Sequence, residues 1–140
     1  MKNTAEFGAR AGRPFAGASG KTVLIVDDNE GFRFALAEFL RMEERGLTVQ
    51  TVENGEQAAA VVRNAPVDLV ITDLLMPVMD GSELLLWMSE YRPAVPVIVV
   101  SAGADAGKTF DLKTRGIVFF DKPLDFDELT GTVRSLLGMS

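Results

Sequence analysis

The segment Val67–Gly81, with the sequence VDLVITDLLMPVMDG, constrains the fold more than any other part of this chain. Its apolar run Leu69–Ile71 is bounded by Pro66 before it and by Pro77 and the Asp80–Gly81 turn signal after it. Short apolar runs bounded in this way are typical of strands that are buried on both faces of a parallel sheet. Asp73 comes where the strand ends, at the edge where doubly wound folds carry out their chemistry. A lone Asp at this position is as often a turn former, so the rest of the chain decides its meaning.

The chain alternates between strand and helix patterns from Thr22 onward. Four further apolar or alternating runs predict strands: Thr22–Val26, Leu47–Val52, Pro96–Val100 and Ile117–Phe120. Apolar residues at helical spacing, with capping and stop signals, predict the intervening helices. These helices are expected between Asn29 and Gly46, from Asn54 to Asn64, over Ser82–Tyr91, within Gly107–Arg115 and after Asp125.

Five successive strand–helix units predict an α/β fold, a doubly wound five-stranded parallel sheet with helices on both faces. With 140 residues, the chain has room for one such domain, which we assign to residues 21–140. Residues 1–20 are rich in glycine and show no apolar periodicity, so they are expected to form a flexible N-terminal tail.

Composition excludes several classes of function. The chain has no cysteine and no histidine, which rules out disulfides, thiolate and imidazole metal ligands, and a phosphohistidine of its own. The formal net charge of −6 argues against direct nucleic-acid binding through a basic surface. No apolar run approaches the ~20 residues that span a bilayer. These features lead us to expect a cytoplasmic protein without membrane contact.

Polar residues follow four of the predicted strands: Asp27 and Asp28, then Asp73, Ser101 and Lys122. Because the carboxyl ends of parallel strands share one edge of a sheet, these side chains can converge. Clustered carboxylates repel one another, and Mg²⁺, which prefers oxygen ligands, relieves that repulsion. An ionised carboxylate in such a site can attack phosphorus, while Lys122 and Ser101 bind phosphoryl oxygens. Taken singly, each residue could be a cap, a turn former or a surface charge, but their placement at four strand ends favours a shared site.

These motifs together resemble a known family, the receiver domains of bacterial two-component response regulators. The resemblance lies in Asp27–Asp28, the block TDLLMPVMDG, Val99–Ala102 and Asp121–Pro123, and it covers about residues 21–138. It implies a flavodoxin-like sheet with strand order 2-1-3-4-5.

The resemblance also implies the metal site and the acceptor. Asp73 would be the phosphoacceptor and, with Asp28, a direct Mg²⁺ ligand. Asp27 would bind the ion mainly through water, and the backbone carbonyl of Leu75 would complete the protein ligands. Two positions that tune phosphoryl lifetime in the family, Leu75 and Gly103, have no polar side chain here to orient a water.

Further roles follow from the same resemblance. Ser101 and Lys122 would hold the phosphoryl group, and Lys122–Pro123 would be a cis peptide. Ser101 and Phe119 would form the conformational switch, in which an aromatic side chain rotates after phosphorylation. Phe119 could otherwise be an ordinary core or edge-strand residue.

The sequence is therefore interpreted as a stand-alone phosphoacceptor of a two-component or phosphorelay system, since it ends soon after the last predicted helix. A histidine kinase or histidine phosphotransfer protein would donate the phosphoryl group. A downstream protein would bind the face formed by helix 4, strand 5 and helix 5. The alternatives are a non-phosphorylated pseudo-receiver and a receiver fragment of a larger hybrid kinase or regulator. A phosphohydrolase of the haloacid-dehalogenase type would need a second Asp at position 75, where this chain has Leu75, so turnover of an external substrate is not expected.

Overall fold

The computed structural model of the chain describes residues 20–103 and 111–139. Within them, five strands form one sheet in which all neighbours are parallel and the order is β2-β1-β3-β4-β5. The strands are β1 (Thr22–Val26), β2 (Thr48–Val52), β3 (Leu69–Thr72), β4 (Val97–Ser101) and β5 (Val118–Asp121). The predicted fold class and strand order are therefore confirmed.

Helices connect these strands as predicted. They are α1 (Glu30–Glu43), α2 (Gly55–Asn64), α3 (Gly81–Tyr91), α4 (described over 111–114) and α5 (Phe126–Leu136). Residues 1–19 of the predicted tail and residues 104–110 of the predicted fourth helical region lie outside the described residues. Among the helices that are described, none combines the length and apolar character needed to cross a membrane.

The sheet separates two apolar layers, because successive side chains of a strand point to opposite faces. On one face Ile25 packs with Leu36 of α1 and Leu129 of α5, and all three are at most 1% exposed. On the other face Leu24 packs with Leu84 of α3 and the helix α2. Burial of a side chain of this size stabilises the fold by roughly 1.5–3 kcal/mol. The two layers make the sheet a rigid support for the loops at its carboxyl edge.

The strand register brings the predicted functional residues to that edge. Val26, the last residue of β1, pairs with Thr72, the last residue of β3. Ser101 pairs with Asp121 at the ends of β4 and β5. The residues that follow β1, β3 and β5 therefore leave the sheet side by side, together with the last residue of β4.

Side-chain caps at the helix starts hold the loops that leave this edge. Asn29 accepts a hydrogen bond from the Phe32 N–H at the start of α1, at 2.8 Å. Asp80 and Glu83 form a reciprocal capping box at the start of α3, with both bonds at 3.0 Å. A cap of this kind contributes about 1 kcal/mol. Asp125 is the N-cap of α5 and accepts from the N–H groups of residues 127 and 128.

Gly81 permits a close approach between α3 and the backbone of Asp73. A Cβ atom at Gly81 would lie 2.1 Å from the carbonyl oxygen of Asp73 and 2.7 Å from the Cα of Leu74. Both contacts are with backbone, so the loop after β3 would have to move to admit any larger residue.

We predict that Gly81→Ala destabilises the domain by about 1–3 kcal/mol, the usual cost of overpacking. Gly131→Ala is the matched control, because Gly131 lies within α5 and a Cβ there meets nothing within 4 Å. That substitution should be neutral or stabilise by up to about 1 kcal/mol, since Ala has the higher helix propensity. Urea unfolding measures both values. Equal stability of the two variants would contradict the close approach at Gly81.

Candidate functional site

Asp73 lies directly after β3 and is only 8% exposed. Its Oδ1 accepts hydrogen bonds from the Ser101 hydroxyl at 2.7 Å and from the Leu75 N–H at 3.1 Å. Its Oδ2 accepts from the Lys122 ammonium at 3.0 Å. Both oxygens are therefore oriented by neighbours on three different loops or strand ends, which fixes the carboxylate in one position.

Lys122 bridges two of the predicted carboxylates. Its Nζ donates to Asp27 Oδ2 at 2.8 Å as well as to Asp73 Oδ2. Burial alone would lower the pKa of Lys122, but the hydrogen bonds and charges of Asp27 and Asp73 outweigh it, and the pKa of Lys122 is raised. Lys122 therefore remains a cation. The Lys122–Pro123 peptide is cis, as the resemblance implied.

Asp27 is the most deeply buried of the three acidic residues, at 1% exposed. Its Oδ1 accepts from the Asn29 N–H at 2.8 Å, and its backbone carbonyl accepts from Arg33 Nη1 at 2.8 Å. Burial raises the pKa of Asp27, although the bonds from Lys122 and Asn29 oppose this effect. The raised pKa marks a site where negative charge is costly in the absence of a further cation.

The carboxylates of Asp27, Asp28 and Asp73 form a group that could hold a metal ion. One oxygen from each lies within 4.8 Å of the others. Asp28 is exposed, and among the described residues it has no ion-pair partner. Three carboxylates around one lysine leave an excess of negative charge, and Mg²⁺ is a hard cation that takes carboxylate oxygens and waters. The donor set therefore fits Mg²⁺.

Leu75 is placed beside this group, two residues after Asp73. Its N–H contacts the Asp73 carboxylate, and its side chain is 61% exposed. Gly103, the other predicted lifetime position, has a φ of +75°, in the left-handed region that favours glycine. The structure thus places both positions in the loops that follow β3 and β4.

Phe119 shares a face of the sheet with Ser101. It pairs in register with Val99, and Val99 and Ser101 are two residues apart on β4, so the three side chains point to the same side. Phe119 is partly buried against the cluster of Leu74, Leu85, Val99 and Leu112. Ser101 is fully buried. The two predicted switch residues are therefore adjacent to a common apolar layer.

Two residues near the site were not assigned a functional role from the sequence. The ring of Phe32, on α1, lies with its centroid 4.2 Å from Lys122 Nζ. Arg33 follows it and binds the Asp27 carbonyl. In the sequence, Phe32 is only one of the apolar residues at helical spacing in α1. Because Phe32 and Lys122 are far apart in the sequence, no local sequence pattern predicts their contact.

Both the sequence and the structure of this chain are similar to known proteins. The sequence model described as the response regulator receiver domain matches residues 23–134. Among solved structures, a response regulator receiver protein from Pseudomonas putida is similar, with a TM-score of 0.76 and 32% identity, over 82% of this chain and 96% of that one.

Curated relatives contain a similar segment within longer proteins. The transcriptional regulatory protein GlrR of Escherichia coli is 34% identical over 84% of this chain and 26% of its own length. The transcriptional regulatory protein TcrA of Mycobacterium tuberculosis is 32% identical over 96% of this chain and 53% of its own length. The chain thus spans between a quarter and about half of the length of these two relatives.

We predict that Asp28→Asn weakens Mg²⁺ binding by roughly tenfold or more, because it removes an exposed ligand charge from a cation that gives up its waters reluctantly. Asp127→Asn is the matched control, since it makes the same charge change at the exposed start of α5. Calorimetric titration of both variants with Mg²⁺ gives the affinities. Wild-type affinity in Asp28→Asn would contradict this ligand assignment.

Proposed function

This chain belongs to the family of response regulator receiver domains, the phosphoacceptor signalling modules of two-component systems, and on this premise we propose that Asp73 is its phosphoacceptor. The observation that carries the proposal is the arrangement of Asp73, which accepts from Ser101 and Lys122 beside Asp27 and Asp28. These contacts hold the Asp73 carboxylate in a fixed orientation, in which it can act as a nucleophile.

The proposed reaction is a phosphoryl transfer to a carboxylate oxygen of Asp73. That oxygen attacks the phosphorus of a phosphohistidine, the P–N bond breaks as the O–P bond forms, and the imidazole leaves with the electron pair and gains a proton. The product is an acyl phosphate. Such transition states are loose, so positioning and charge stabilisation contribute most of the catalysis. The Lys122 ammonium and the Ser101 hydroxyl are the groups that would bind the phosphoryl oxygens.

Receiver domains bind Mg²⁺ at an acidic pocket, and the residues that would hold the ion here are Asp28, Asp73, Asp27 through water, and the backbone carbonyl of Leu75. Bound Mg²⁺ would offset the negative charge that the phosphoryl group brings to the three carboxylates. Lys122, which contacts Asp27 and Asp73, would supply further positive charge. The chain's own residues thus provide the nucleophile, a cation and a hydroxyl donor.

A donor histidine would have to lie outside this sequence, because these 140 residues contain none. Receiver domains take phosphoryl groups from histidine kinases, and a histidine kinase or a histidine phosphotransfer protein is the donor we propose here. The similarity to segments of GlrR and TcrA is also compatible with a receiver unit within a larger regulator. The full acceptor set disfavours a pseudo-receiver, and Leu75 in place of a second Asp disfavours a turnover phosphohydrolase.

We predict that acetyl phosphate with Mg²⁺ adds one phosphoryl group to the wild-type protein and none to Asp73→Asn, because the amide is not a nucleophile. Asp127→Asn, with the same loss of charge away from the site, should take up phosphate at the wild-type rate. Intact mass spectrometry measures the adduct, and hydroxylamine should remove it, as expected for an acyl phosphate. An adduct of equal size on Asp73→Asn would show that Asp73 is not the phosphoacceptor.

Signal output is proposed to pass from Ser101 to Phe119. In the unphosphorylated structure the Ser101 hydroxyl donates to Asp73. A phosphoryl group on Asp73 would bring new acceptor oxygens, and the hydroxyl can turn toward them. That turn would free space on the face that Phe119 shares, and Phe119 could rotate inward to fill it. The surface of α4, β5 and α5 would then change, which makes it the proposed binding site for a downstream protein. The expected coupling is about 1–3 kcal/mol, the usual range for allosteric linkage.

Beryllofluoride, a mimic of the phosphoryl group, should therefore shift the NMR signals of Ser101, Phe119 and residues 111–118. Phe120 is an internal control, because it packs on the opposite face of the sheet against the α1 and α5 layer. Its ring signals should move less than those of Phe119. Shifts confined to the Asp73 pocket, with Phe119 unchanged, would rule out this route of output.

A further inference from the structure

The ammonium of Lys122 has a third neighbour besides its two carboxylates. An ammonium offers three N–H donors, and two of them reach Asp27 and Asp73 at 2.8 and 3.0 Å. The ring of Phe32 lies at 4.2 Å from the nitrogen, within the range of a cation–π contact. The Lys122 side chain is only 18% exposed, so this contact is largely shielded from water. The aromatic ring therefore covers a side of the ammonium that solvent would otherwise occupy.

Phe32 is itself held in place by other rings. It makes an edge contact with Phe126, the first residue of α5, with centroids 6.1 Å apart and planes at 79°. Phe126 in turn contacts Phe39, which lies about two turns after Phe32 in α1. The centroids of these two rings are 5.3 Å apart and their planes meet at 61°. Edge-to-face pairs at these distances are favourable and restrict ring movement. The ring beside Lys122 is thus part of a packed set that joins α1 to α5.

We propose that Phe32 is a positioning residue that holds the Lys122 ammonium for phosphoryl binding at Asp73. The inference rests on the proposed function of Asp73 and extends it to a residue outside the polar site. Its role is to restrict the long, flexible lysine side chain to the space between Asp27 and Asp73.

The ring suits this role because of how it attracts a cation. The π face attracts positive charge without requiring one fixed acceptor atom, so the ammonium can change hydrogen-bond partners while it stays over the ring. When a phosphoryl group joins Asp73, Lys122 must turn an N–H toward a new oxygen. A carboxylate or amide in place of Phe32 would compete for that N–H, whereas the ring leaves it available. Phe32 therefore orients Lys122 without taking a donor from the reaction.

Phe39 provides a matched control for packing. It is the same residue type on the same helix, it is partly buried, and it touches the same ring, Phe126. Phe39→Leu and Phe32→Leu each remove one aromatic ring from this set, but only Phe32→Leu removes the contact with Lys122. Phe32→Tyr keeps the π face and serves as the conservative rescue variant.

The experiment measures beryllofluoride affinity and the rate of phosphorylation by acetyl phosphate, both at saturating Mg²⁺, for wild type and the three variants. Phe32→Leu should lower both values about three- to tenfold, the size expected for loss of a shielded cation–π contact. Phe32→Tyr should stay near wild type, and Phe39→Leu should change neither value by more than about twofold, although both Leu variants lower the urea midpoint. This pattern would separate positioning from a general loss of stability.

NMR on the metal-free protein tests the contact directly, without any phosphoryl chemistry. The Lys122 ε-methylene protons lie near the ring face, so they should be shifted upfield by its ring current. Phe32→Leu should abolish that shift, while Phe39→Leu should preserve it.

Three results would overturn the inference. They are wild-type beryllofluoride affinity in Phe32→Leu, equal losses in Phe32→Leu and Phe39→Leu, and failure of Phe32→Tyr to restore affinity. If wild-type protein itself neither binds beryllofluoride nor takes up phosphate, the proposed function of Asp73 fails, and that outcome is distinct from a specific failure of Phe32.

Discussion

The ion bridge from Lys122 to Asp27 and Asp73 is the interaction on which the functional edge of this domain depends. The three residues follow β5, β1 and β3, so the bridge forms only if these strands are parallel and in register. Burying a carboxylate without a partner costs several kcal/mol, and Asp27 and Asp73 are both almost inaccessible. The lysine offsets part of this cost but leaves negative charge in excess. This excess of negative charge destabilises the metal-free site and favours the binding of a divalent cation.

The residues of this site could be predicted because they depend on chain order alone. Once a parallel sheet is expected, Asp27, Asp73, Ser101 and Lys122 must share its carboxyl edge, whatever the details of packing. Helix faces are less certain, because periodicity gives the spacing of apolar residues but not the rotation of the helix. Ala35 shares the helical spacing of the apolar residues of α1, yet it is exposed, whereas Ala37 is buried.

Contacts between distant segments explain the remaining differences. The segment that contains the central strand opens at Val67, whereas β3 begins at Leu69, and the carboxylate of the intervening Asp68 accepts from the N–H of Thr22. The ring of Phe32 meets Lys122 only after α1 has packed against the sheet beside α5. Neither contact has a local sequence signature, since each joins residues that the fold alone brings together.

The two faces next to the site differ in how readily they can respond to a movement of Lys122. On the α1 and α5 side, Leu36, Leu129 and Val133 are fully buried, and Arg134 of α5 forms an ion pair with Glu44 at the end of α1. Phe119, on the other side, is only partly buried. Packed interiors resist gradual deformation and instead shift where discrete alternatives exist. Because buried side chains and an ion pair hold α1 and α5 together, a displacement that begins at Asp73 is expected to be absorbed first on the side of the partly buried Phe119 and α4. The packing between α1 and α5 thus favours a response that begins at β5 and α4, next to the outer surface of α5.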